Sequence, residues 1–445
     1  MKQDGVLLLG SLGTGMLGLG ELYRDLNYEV FGYDDKLNDF CVDQGKAFYS
    51  VKNINSETRF LKRDQIMQLI TDKKFKEIVF SSAFQTRNLL QDIFQYGIQP
   101  KHRFEAVCEL FRDKKKILVS GSHGKTTISA ILTHLLNAKE ACSFYLGGKL
   151  LGYDRYAKLV RETNLAVIEG DESDGSFLKM IPYIFVISSI DVEHLEFWKT
   201  ESLLDLSFYS MGLCVPKCYL AYSNSENRIG LVSSRAKFIP QFSFVNTREG
   251  VHFSFEYDGK NFDAFLPFPG QHYARNALCA FLVCYEFGCE PRNLLQRLAS
   301  YRGVSRRMEV LRKTPLIVSD YAHHPTEVSA VIDSLKNSYQ EIVIFFQPHR
   351  VSRTKITFSM FKDLFKTVSK AYVLDIYNPL EQNSSCNSEE LKELSKLLAN
   401  YSGAEYLPCF EEIFLREIGR GEGDIYLVIG AGDIDERARH ILERV

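Results

Sequence analysis

Two glycines, a lysine and a threonine lie between an apolar strand and a predicted helix in the stretch ILVSGSHGKTTISAIL. Gly121 and Gly124 allow the backbone to curl its N–H groups around an anion, and the positive end of the helix points to the same place. Lys125 would then reach the β- and γ-phosphates of a nucleotide, and the Thr126 hydroxyl would bind Mg²⁺. Because Val119 stands where a P-loop has its first glycine, a plain glycine turn with an exposed lysine is the alternative interpretation.

An acidic segment and a histidine follow two later strands and could complete a magnesium-nucleotide site. Glu169 ends the strand LAVIE and begins the segment EGDESD, whose carboxylates would repel one another without a cation or solvent to screen them. His194 follows the strand IFVISSIDVE in the same way. Loops at the carboxyl ends of parallel strands meet at one edge of a sheet, so we expect these side chains near Lys125. The alternative for His194 is a structural histidine.

The N-terminal segment contains a glycine pattern that is typical of diphosphate binding. Gly13, Gly15 and Gly18 follow the strand VLLLG with the spacing GxGxxG, and Asp34 and Asp35 end the next strand. A carboxylate at that spacing can meet a ribose hydroxyl, and the glycines suit the diphosphate of a dinucleotide or of a nucleotide sugar equally well. The alternative is that the glycines only allow close packing of a helix on a strand.

Composition indicates a globular chain of several domains with small anionic ligands. The 445 residues are 45% hydrophobic and 25% charged, which is enough apolar material for about three domains. A net charge of −2 gives no basis for a nucleic-acid or membrane partner, because such proteins carry a basic imbalance. The ten cysteines lie mostly in apolar segments, as reduced core cysteines of a cytoplasmic protein do.

Short apolar strands alternate with amphipathic helical stretches along the chain, which predicts the α/β class with mainly parallel sheets. The charged run RDKKK separates a first unit from a second, and the basic segment YRGVSRRMEVLRKTP separates the second from a third. We expect a helix near the end of the second unit to begin around Asn276.

Nine segments of the chain occur in the order and approximate spacing of one enzyme family: GSHGKTT, EGDESDGSF, IDVEHLEFW, PGQHYARNALCA, GVSRRME, DYAHHPTE, FQPHRVSRT, DIY and GAGDI. The chain resembles the Mur ligases, ATP-dependent enzymes that form amide bonds in peptidoglycan precursors. The segments DESD, DYAHHPTE and FQPHRVSRT are most similar to the members that join L-alanine to UDP-N-acetylmuramate. The related tripeptide-recycling ligases typically differ where FQPHR stands.

The resemblance implies three domains. Residues 1–115 would form a Rossmann-like domain for UDP-N-acetylmuramate, residues 116–311 a central P-loop domain of the ATPase type for ATP, and residues 312–445 a Rossmann-like domain that closes over ATP and the amino acid. The lactyl carboxylate would attack the γ-phosphate to give an acyl phosphate, from which the amine of alanine displaces phosphate. The family also implies a cytoplasmic monomer or weak homodimer.

The resemblance also assigns site residues. Lys125, Glu169 and His194 match catalytic positions; Thr126 and Glu169 match ligands of one Mg²⁺, and His194 matches a ligand of a second. The ATP site would comprise Gly121, Ser122, His123, Gly124, Lys125, Thr126, Thr127, His272, Asn276, Arg307 and Asp320. The substrate site would comprise Gly13, Gly15, Gly18, Asp34, Ser82 and Arg103 around uridine diphosphate, with Tyr321, His323, Arg350 and Arg353 near the muramoyl group and the amino acid.

The chain departs from the family pattern at several positions. Leu12 stands where a glycine is frequent, and Ser189 and Tyr273 stand where asparagines are usual. After the DIY segment, Asn378, Pro379 and Leu380 replace small residues. The alternatives are a ligase that adds a peptide or another amino acid, and a non-catalytic nucleotide-sugar binding protein. For the pair His323 and His324, capping of a helix start is the alternative role, which we expect of His324.

Overall fold

The computed structural model describes residues 5–34, 58–82, 84, 87–137, 142–191, 193–222, 236–378 and 388–445. Asp35, Pro379 and Leu380 lie outside these residues. The chain forms two compact units, Met1–Ile239 with Leu278–Arg297 and Pro240–Ala277 with Leu298–Val445. Each unit has α/β architecture, which confirms the predicted fold class. The domain limits at 115/116 and 311/312 stay a prediction.

The first unit begins with a sheet of five strands among the described residues, all parallel, in the order β3-β2-β1-β4-β5. Strand β1 is buried over its whole length because strands flank it on both sides and helices cover its faces, which is why it is continuously apolar. The strands are β1 Gly5–Leu9, β2 Glu29–Tyr33, β3 Arg59–Phe60, β4 Phe75–Phe80 and β5 Lys101–His102. The helices are Thr14–Asp25, Arg63–Thr71, Arg87–Gln95 and Arg103–Leu110.

A second sheet of the same unit has seven described strands in the order β12-β11-β10-β6-β9-β7-β8, and only the edge strand β8 is antiparallel to its neighbour. The strands are β6 Lys115–Ser120, β7 Ser143–Leu150, β8 Arg155–Lys158, β9 Leu165–Glu169, β10 Ile184–Ile187, β11 Lys217–Leu220 and β12 Ala236–Phe238. Its helices are Lys125–Leu136, Leu195–Trp198 and Glu201–Leu213, with a 3₁₀ turn at Ser176–Lys179. Strand β6 lies between β10 and β9, so the loops after these three strands share one edge.

The second unit contains a small antiparallel sheet that the sequence analysis did not predict. Its strands are β13 Phe242–Asn246, β14 Val251–Tyr257 and β15 Lys260–Leu266. Strand β14 alternates buried and exposed residues, as a sheet with one solvated face requires. The turn residues Asp258 and Gly259 both have positive φ, of 54° and 67°, which is the geometry of a tight hairpin.

The main sheet of the second unit has six described strands in the order β16-β17-β21-β18-β19-β20, with β16 antiparallel. The strands are β16 Glu309–Lys313, β17 Leu316–Asp320, β18 Ile342–Phe346, β19 Lys370–Val373, β20 Glu405–Tyr406 and β21 Ile425–Ile429. The helices are Pro325–Leu335, Val351–Thr357, Ser388–Ser402, Phe410–Arg420 and Ile434–Leu442, with a 3₁₀ turn at Phe358–Phe361.

Two further helices are Gln271–Glu286 and Pro291–Ala299. The first begins five residues before Asn276, so the predicted start was wrong. The chain turns at Gly270, whose φ of +130° disfavours other residues, and the helix follows at once. No helix among the described residues combines the length and the apolar character needed to cross a bilayer.

Candidate active site

The loop between β6 and the helix Lys125–Leu136 has the geometry of an anion cradle. Gly121 has φ of +131°, and a Cβ there would lie 2.5 Å from the Ser188 hydroxyl oxygen and from the Ser189 carbonyl oxygen. Gly124 precedes the helix with φ of +83° and caps it with no side chain, so the backbone N–H groups of the first turn face outward. The helix dipole therefore adds positive potential at this point.

The Lys125 ammonium lies inside this loop. Its Nζ donates to the carbonyl oxygens of Gly121 at 2.6 Å and Ser122 at 3.0 Å, and to Glu172 Oε1 at 3.0 Å. Burial opposes the charge on Lys125, but Glu172 and Asp171 raise its pKa above the usual lysine value. Lys125 is therefore a partly buried cation held inside the loop, with 18% of its side chain exposed, and it is not the exposed lysine of the alternative interpretation.

Glu169 contacts the same helix beside Lys125. Its Oε1 accepts a hydrogen bond from the Thr126 hydroxyl at 2.8 Å, and its Oε2 accepts from the Gly147 N–H at 2.7 Å. A Cβ at Gly147 would lie 2.5 Å from Glu169 Oε1, so a side chain at this position on β7 would displace the carboxylate. The threonine and glutamate oxygens, predicted from different parts of the sequence, form a pair of hard donors of the kind that Mg²⁺ prefers.

His194 lies in a second group of possible metal ligands. Its Nε2 is 3.6 Å from Glu172 Oε1 and 3.7 Å from Glu193 Oε2. One ligand atom from each of these three residues lies within 4.8 Å of the others. His194 has φ of +57° and starts a short helix, an unusual conformation for a residue other than glycine. These three side chains could hold a cation, and the role of His194 as a ligand stays a prediction.

Two further predicted residues of this loop, Ser122 and His123, are held by hydrogen bonds to the segment that follows strand β10. Ser189, where the family usually has asparagine, accepts from the His123 N–H at 2.8 Å and donates to the His123 carbonyl at 3.2 Å. The Ser122 hydroxyl exchanges two hydrogen bonds with the backbone of Asp191. Thr127 is buried in the first turn of the helix. A serine at 189 therefore still fixes the loop.

The three N-terminal glycines differ in their surroundings. The nearest atom to a Cβ at Gly13 would be 3.7 Å away, whereas a Cβ at Gly15 would lie 2.4 Å from Arg103 Nη1. A Cβ at Gly18 would be 3.2 Å from the Tyr156 Cβ, so Gly18 fits the alternative in which glycine allows a helix to pack closely on a strand. The Asp34 carboxylate accepts a hydrogen bond from the Leu12 N–H at 3.0 Å, which fixes the loop before the helix Thr14–Asp25. Leu12, where the family often has glycine, therefore contributes to the loop through its backbone.

Ser82 and Arg103 lie beside this glycine loop in hydrogen-bonded groups. Arg103 Nη1 donates to the Tyr145 hydroxyl at 2.9 Å, and that hydroxyl donates to the Gly15 carbonyl at 3.0 Å. The Ser82 hydroxyl donates to Asp174 and lies 2.9 Å from His102 Nε2. Burial lowers the pKa of His102, although Asp174 opposes the shift.

In the second unit, His272, Tyr273 and Asn276 lie in the first turns of the helix Gln271–Glu286. Burial, followed by the charge of Arg275, lowers the pKa of His272 to about 4, so its ring is neutral at pH 7. Tyr273, where the family has asparagine, is buried and stacks on Phe268 with the ring centroids 5.2 Å apart. Tyr273 therefore packs in the core and lacks the side-chain amide that an asparagine would have at this position.

Asp320 and Arg307 lie beside Tyr321 at the carboxyl end of β17. The Asp320 carboxylate is buried and accepts from the Met308 N–H and the Ala322 N–H, each at 2.8 Å. Arg307 lies 5.1 Å from the Tyr321 ring centroid. Burial opposes its charge, but Glu327 and Asp320 raise the pKa of Arg307. Asp320 thus fixes two loops, and Arg307 supplies a positive charge beside it.

His323, Arg353 and Tyr377 surround His349 at the same edge of the sheet. His349 Nδ1 is 3.3 Å from Arg353 Nη1, and its ring is 5.9 Å from that of His323 and stacks on Tyr377. Burial and then the neighbouring charges, His323 first, lower the pKa of His349 to about 3. The Arg350 N–H donates to the Tyr377 carbonyl at 2.8 Å.

His324 has the role that the alternative interpretation gave it. It caps the helix Pro325–Leu335, because its Nδ1 accepts from the Thr326 N–H while Glu327 accepts from the His324 N–H. This capping box satisfies backbone donors that the helix start would otherwise leave unpaired.

Comparisons with known proteins show the family of this chain. A family model for the Mur ligase, glutamate ligase domain, matches residues 306–432. A UDP-N-acetylmuramate--L-alanine ligase of Aquifex aeolicus is 32% identical over 98% of this chain and 97% of its own length. A protein of the same name from Ruthia magnifica is 30% identical over 97% of this chain and 95% of its own length.

The chain belongs to the Mur ligase family. The family predicted from the nine segments is therefore confirmed. Two solved structures share its fold. A UDP-N-acetylmuramate-alanine ligase of Thermotoga maritima superposes with a TM-score of 0.78 at 19% identity, covering 99% of this chain and 98% of that one. A murein peptide ligase of Psychrobacter arcticus gives 0.70 at 17% identity with the same coverage.

Several residues that lie next to predicted site residues were not singled out from the sequence. Glu172 belongs to the acidic segment, but no local pattern marks it as the partner of Lys125. Tyr145 lies in an apolar strand, and nothing in the sequence around it indicates its contact with Gly15, 130 residues away. Arg306 donates to the carbonyl oxygens of Gly430 and Gly432. The paired arginines of the RRME segment were the only signal for that contact.

Proposed function

We propose that this chain is an ATP-dependent carboxylate-amine ligase that joins L-alanine to the lactyl carboxylate of UDP-N-acetylmuramate through an acyl phosphate. The observation that carries the proposal is the group formed by Lys125, Thr126 and Glu169 at the start of a helix after β6. Relatives that bear the name of this activity match over nearly their full lengths, which supports the choice of substrates.

Lys125 and the backbone N–H groups after Gly124 would bind the phosphates of ATP. Negative charge on the phosphate oxygens grows or shifts during phosphoryl transfer, and a fixed cation with oriented dipoles stabilises it most where water is excluded. Ser122, His123 and Thr127 belong to the same loop. In the second unit, Asn276 would recognise adenine, with His272, Arg307 and Asp320 as the other proposed nucleotide residues.

Thr126 and Glu169 would hold one Mg²⁺, and His194 would be a ligand of a second. Bound Mg²⁺ supplies positive charge that neutralises phosphate oxygens. Glu169 can keep a carboxylate oxygen directed at the cation because the Gly147 N–H holds its other oxygen at 2.7 Å.

The sugar nucleotide would bind at the glycine loop of the first sheet. Gly13 precedes a helix N-terminus with no atom closer than 3.7 Å to a Cβ there, and Arg103 has a guanidinium that suits a diphosphate. Gly15, Asp34 and Ser82 would belong to the same site, and Gly18 would support it by letting the helix approach strand β8. Tyr321, His323, Arg350 and Arg353 of the second unit would contact the muramoyl group and the amino acid. We retain the three predicted domains, 1–115, 116–311 and 312–445, as part of the proposal.

Phosphate release with ATP, Mg²⁺ and UDP-N-acetylmuramate tests the acceptor. L-alanine is compared with glycine, L-serine and the tripeptide L-Ala-D-Glu-diaminopimelate. We expect release to depend on L-alanine. Release only with the tripeptide would assign the chain to the recycling type of ligase, and binding of the sugar nucleotide with no release for any acceptor would assign it to a non-catalytic binding protein.

A further inference from the structure

The loop after β9, residues 169–174, contacts two different groups of side chains in the first unit. Glu169 and Glu172 pair with Thr126 and Lys125, as described above. The other two carboxylates of this acidic loop point elsewhere: Asp171 lies 3.6 Å from Arg103, and Asp174 accepts from Ser82. The acidic loop therefore places a carboxylate on Ser82 and on Arg103, two of the residues that we propose for the uridine diphosphate site.

The contact of Asp174 is the end of a directed chain of hydrogen bonds. His102 Nδ1 accepts from the Phe104 N–H at 3.3 Å, so the proton of the neutral ring is on Nε2. That N–H is 2.9 Å from the Ser82 oxygen and donates to it. The Ser82 hydroxyl proton is consequently left for the Asp174 carboxylate. Ser82 can donate to a phosphate oxygen only if it releases Asp174.

Arg103 is held by the acidic loop in a similar way. Its Nη1 donates to Tyr145, and its Nη2 lies 3.6 Å from Asp171 Oδ2. The arginine side chain is 14% exposed, so few of its donors are left to solvent. An incoming diphosphate would share this guanidinium with a carboxylate of the same sign.

From these contacts we infer that Asp171 and Asp174 pair with the charged and hydrogen-bonding groups of the sugar-nucleotide site and thereby weaken its affinity for the diphosphate. The inference rests on the proposed function. The two aspartates keep Ser82 and Arg103 oriented when the site holds no ligand, and a bound diphosphate replaces or opposes them. Their charge therefore sets how tightly a uridine diphosphate group is held, without contacting the uridine.

Asparagine substitutions test this inference with little change of shape. Asp174 Oδ1 accepts a hydrogen bond from the Ser176 N–H at 2.9 Å, and Asp171 Oδ1 accepts one from the Ser173 N–H at 3.0 Å. An asparagine oxygen can accept the same hydrogen bonds, so the local turns are preserved. Binding of UDP and of uridine is measured by calorimetry for the wild-type chain, Asp171→Asn and Asp174→Asn. We expect UDP to bind about three- to tenfold more tightly to each variant, and uridine to bind equally well to all three.

Two further variants make the test specific. Asp154→Asn removes one negative charge from an exposed residue that pairs with Lys149, and it should leave the affinity for UDP unchanged. In a Ser82→Ala background, Asp174→Asn should tighten UDP binding less than it does in the wild-type chain, because the part of its effect that passes through the Ser82 hydroxyl is lost.

Weaker or unchanged UDP binding by folded Asp171→Asn and Asp174→Asn would overturn the inference. It would show that the aspartates only support the site. If the wild-type chain bound UDP no better than uridine, the proposed sugar-nucleotide site itself would be wrong. The two failures are therefore distinguishable in one set of titrations.

Discussion

Glu172 holds Lys125 by a contact of 2.8 Å between Oε2 and Nζ, with only 2% of the glutamate side chain exposed. The buried glutamate is favourable only with a partner of opposite charge this close, because a carboxylate charge there would be poorly solvated alone. The lysine also donates to two carbonyl oxygens of its own loop. The ammonium is thus positioned before any phosphate arrives, and the pair accounts for a charged residue in the interior.

Replacement of Lys125 by alanine is predicted to abolish turnover while UDP-N-acetylmuramate binding stays within about twofold of the wild-type value. The lysine contacts none of Gly13, Ser82 and Arg103, whereas phosphoryl transfer needs its charge. Phosphate release and calorimetric titration measure the two properties. Lys149→Ala, which removes a lysine paired with the exposed Asp154, is the control and should keep both. Equal loss of both in a folded Lys125→Ala protein would contradict the assignment.

Gly147→Ala is predicted to raise the Mg²⁺ concentration needed for half-maximal activity. The new methyl group would lie 2.5 Å from Glu169 Oε1, so the carboxylate must move away from Thr126. Gly419→Ala is a matched control in the helix Phe410–Arg420, where a Cβ has no neighbour within 4 Å. We expect that control to keep the wild-type Mg²⁺ curve and to gain up to about 1 kcal/mol of stability. An unchanged Mg²⁺ curve for Gly147→Ala would argue against Glu169 as a ligand.

Arg350→Ala is predicted to raise the KM for the sugar nucleotide or the amino acid more than the KM for ATP. The arginine follows the carboxyl end of β18 with φ of +65°, and alanine is no less suited to that conformation than arginine, so the change tests the guanidinium. Steady-state kinetics with each substrate varied in turn provide the measurement. The control is Arg416→Ala, at an arginine 47% exposed on a helix. An effect limited to ATP would refute the proposed role.

Folding stability is predicted to fall between pH 7 and pH 5, in part through His134. Burial and then Arg297 lower the pKa of His134 to about 4, while the unfolded chain has an ordinary histidine pKa of about 6.5. The folded state therefore binds fewer protons, so the contribution of His134 is present above pH 6.5 and is lost as the pH falls towards 4. Since the His134 side chain is partly exposed, its contribution is smaller than the full difference in pKa would give. We expect it to account for about 1 kcal/mol of the loss in the free energy of unfolding.

Urea denaturation at both pH values, with His134→Gln as the variant, measures this contribution. The glutamine amide can still donate to the Arg297 carbonyl, which lies 2.9 Å from His134 Nε2. The variant should lose about 1 kcal/mol less than the wild-type chain between pH 7 and pH 5. Parallel losses would show that the histidine ring does not titrate on unfolding in this range.

Local patterns in the sequence predicted the parts of the fold and site that depend on neighbouring residues. The segment from β6 to Lys125 is one example, since a strand, a glycine turn and a helix start follow directly from residue types. Loops at the carboxyl ends of adjacent parallel strands meet at one edge of a sheet. For that reason the sequence also predicted that Thr126 and Glu169, which are 43 residues apart, lie close together.

Contacts that depend on packing across the unit could not be predicted in this way. Gly15, Arg103 and Tyr145 meet because the helix Thr14–Asp25 packs on β7 and β8, and no periodicity encodes that placement. The antiparallel strands β13 to β15 did carry a local signal, the alternation in VHFSFEYDGKNFDAF with its Asp-Gly turn. That signal was missed because the surrounding chain alternates strands with helices.

The most direct test of the proposed ligase is the fate of the lactyl carboxylate oxygens. UDP-N-acetylmuramate labelled with ¹⁸O in that carboxylate is incubated with ATP, Mg²⁺ and L-alanine, and the products are analysed by mass spectrometry. The account predicts one ¹⁸O atom in the phosphate released for each amide formed with alanine. Phosphate without the label, or release without the amide, would contradict it.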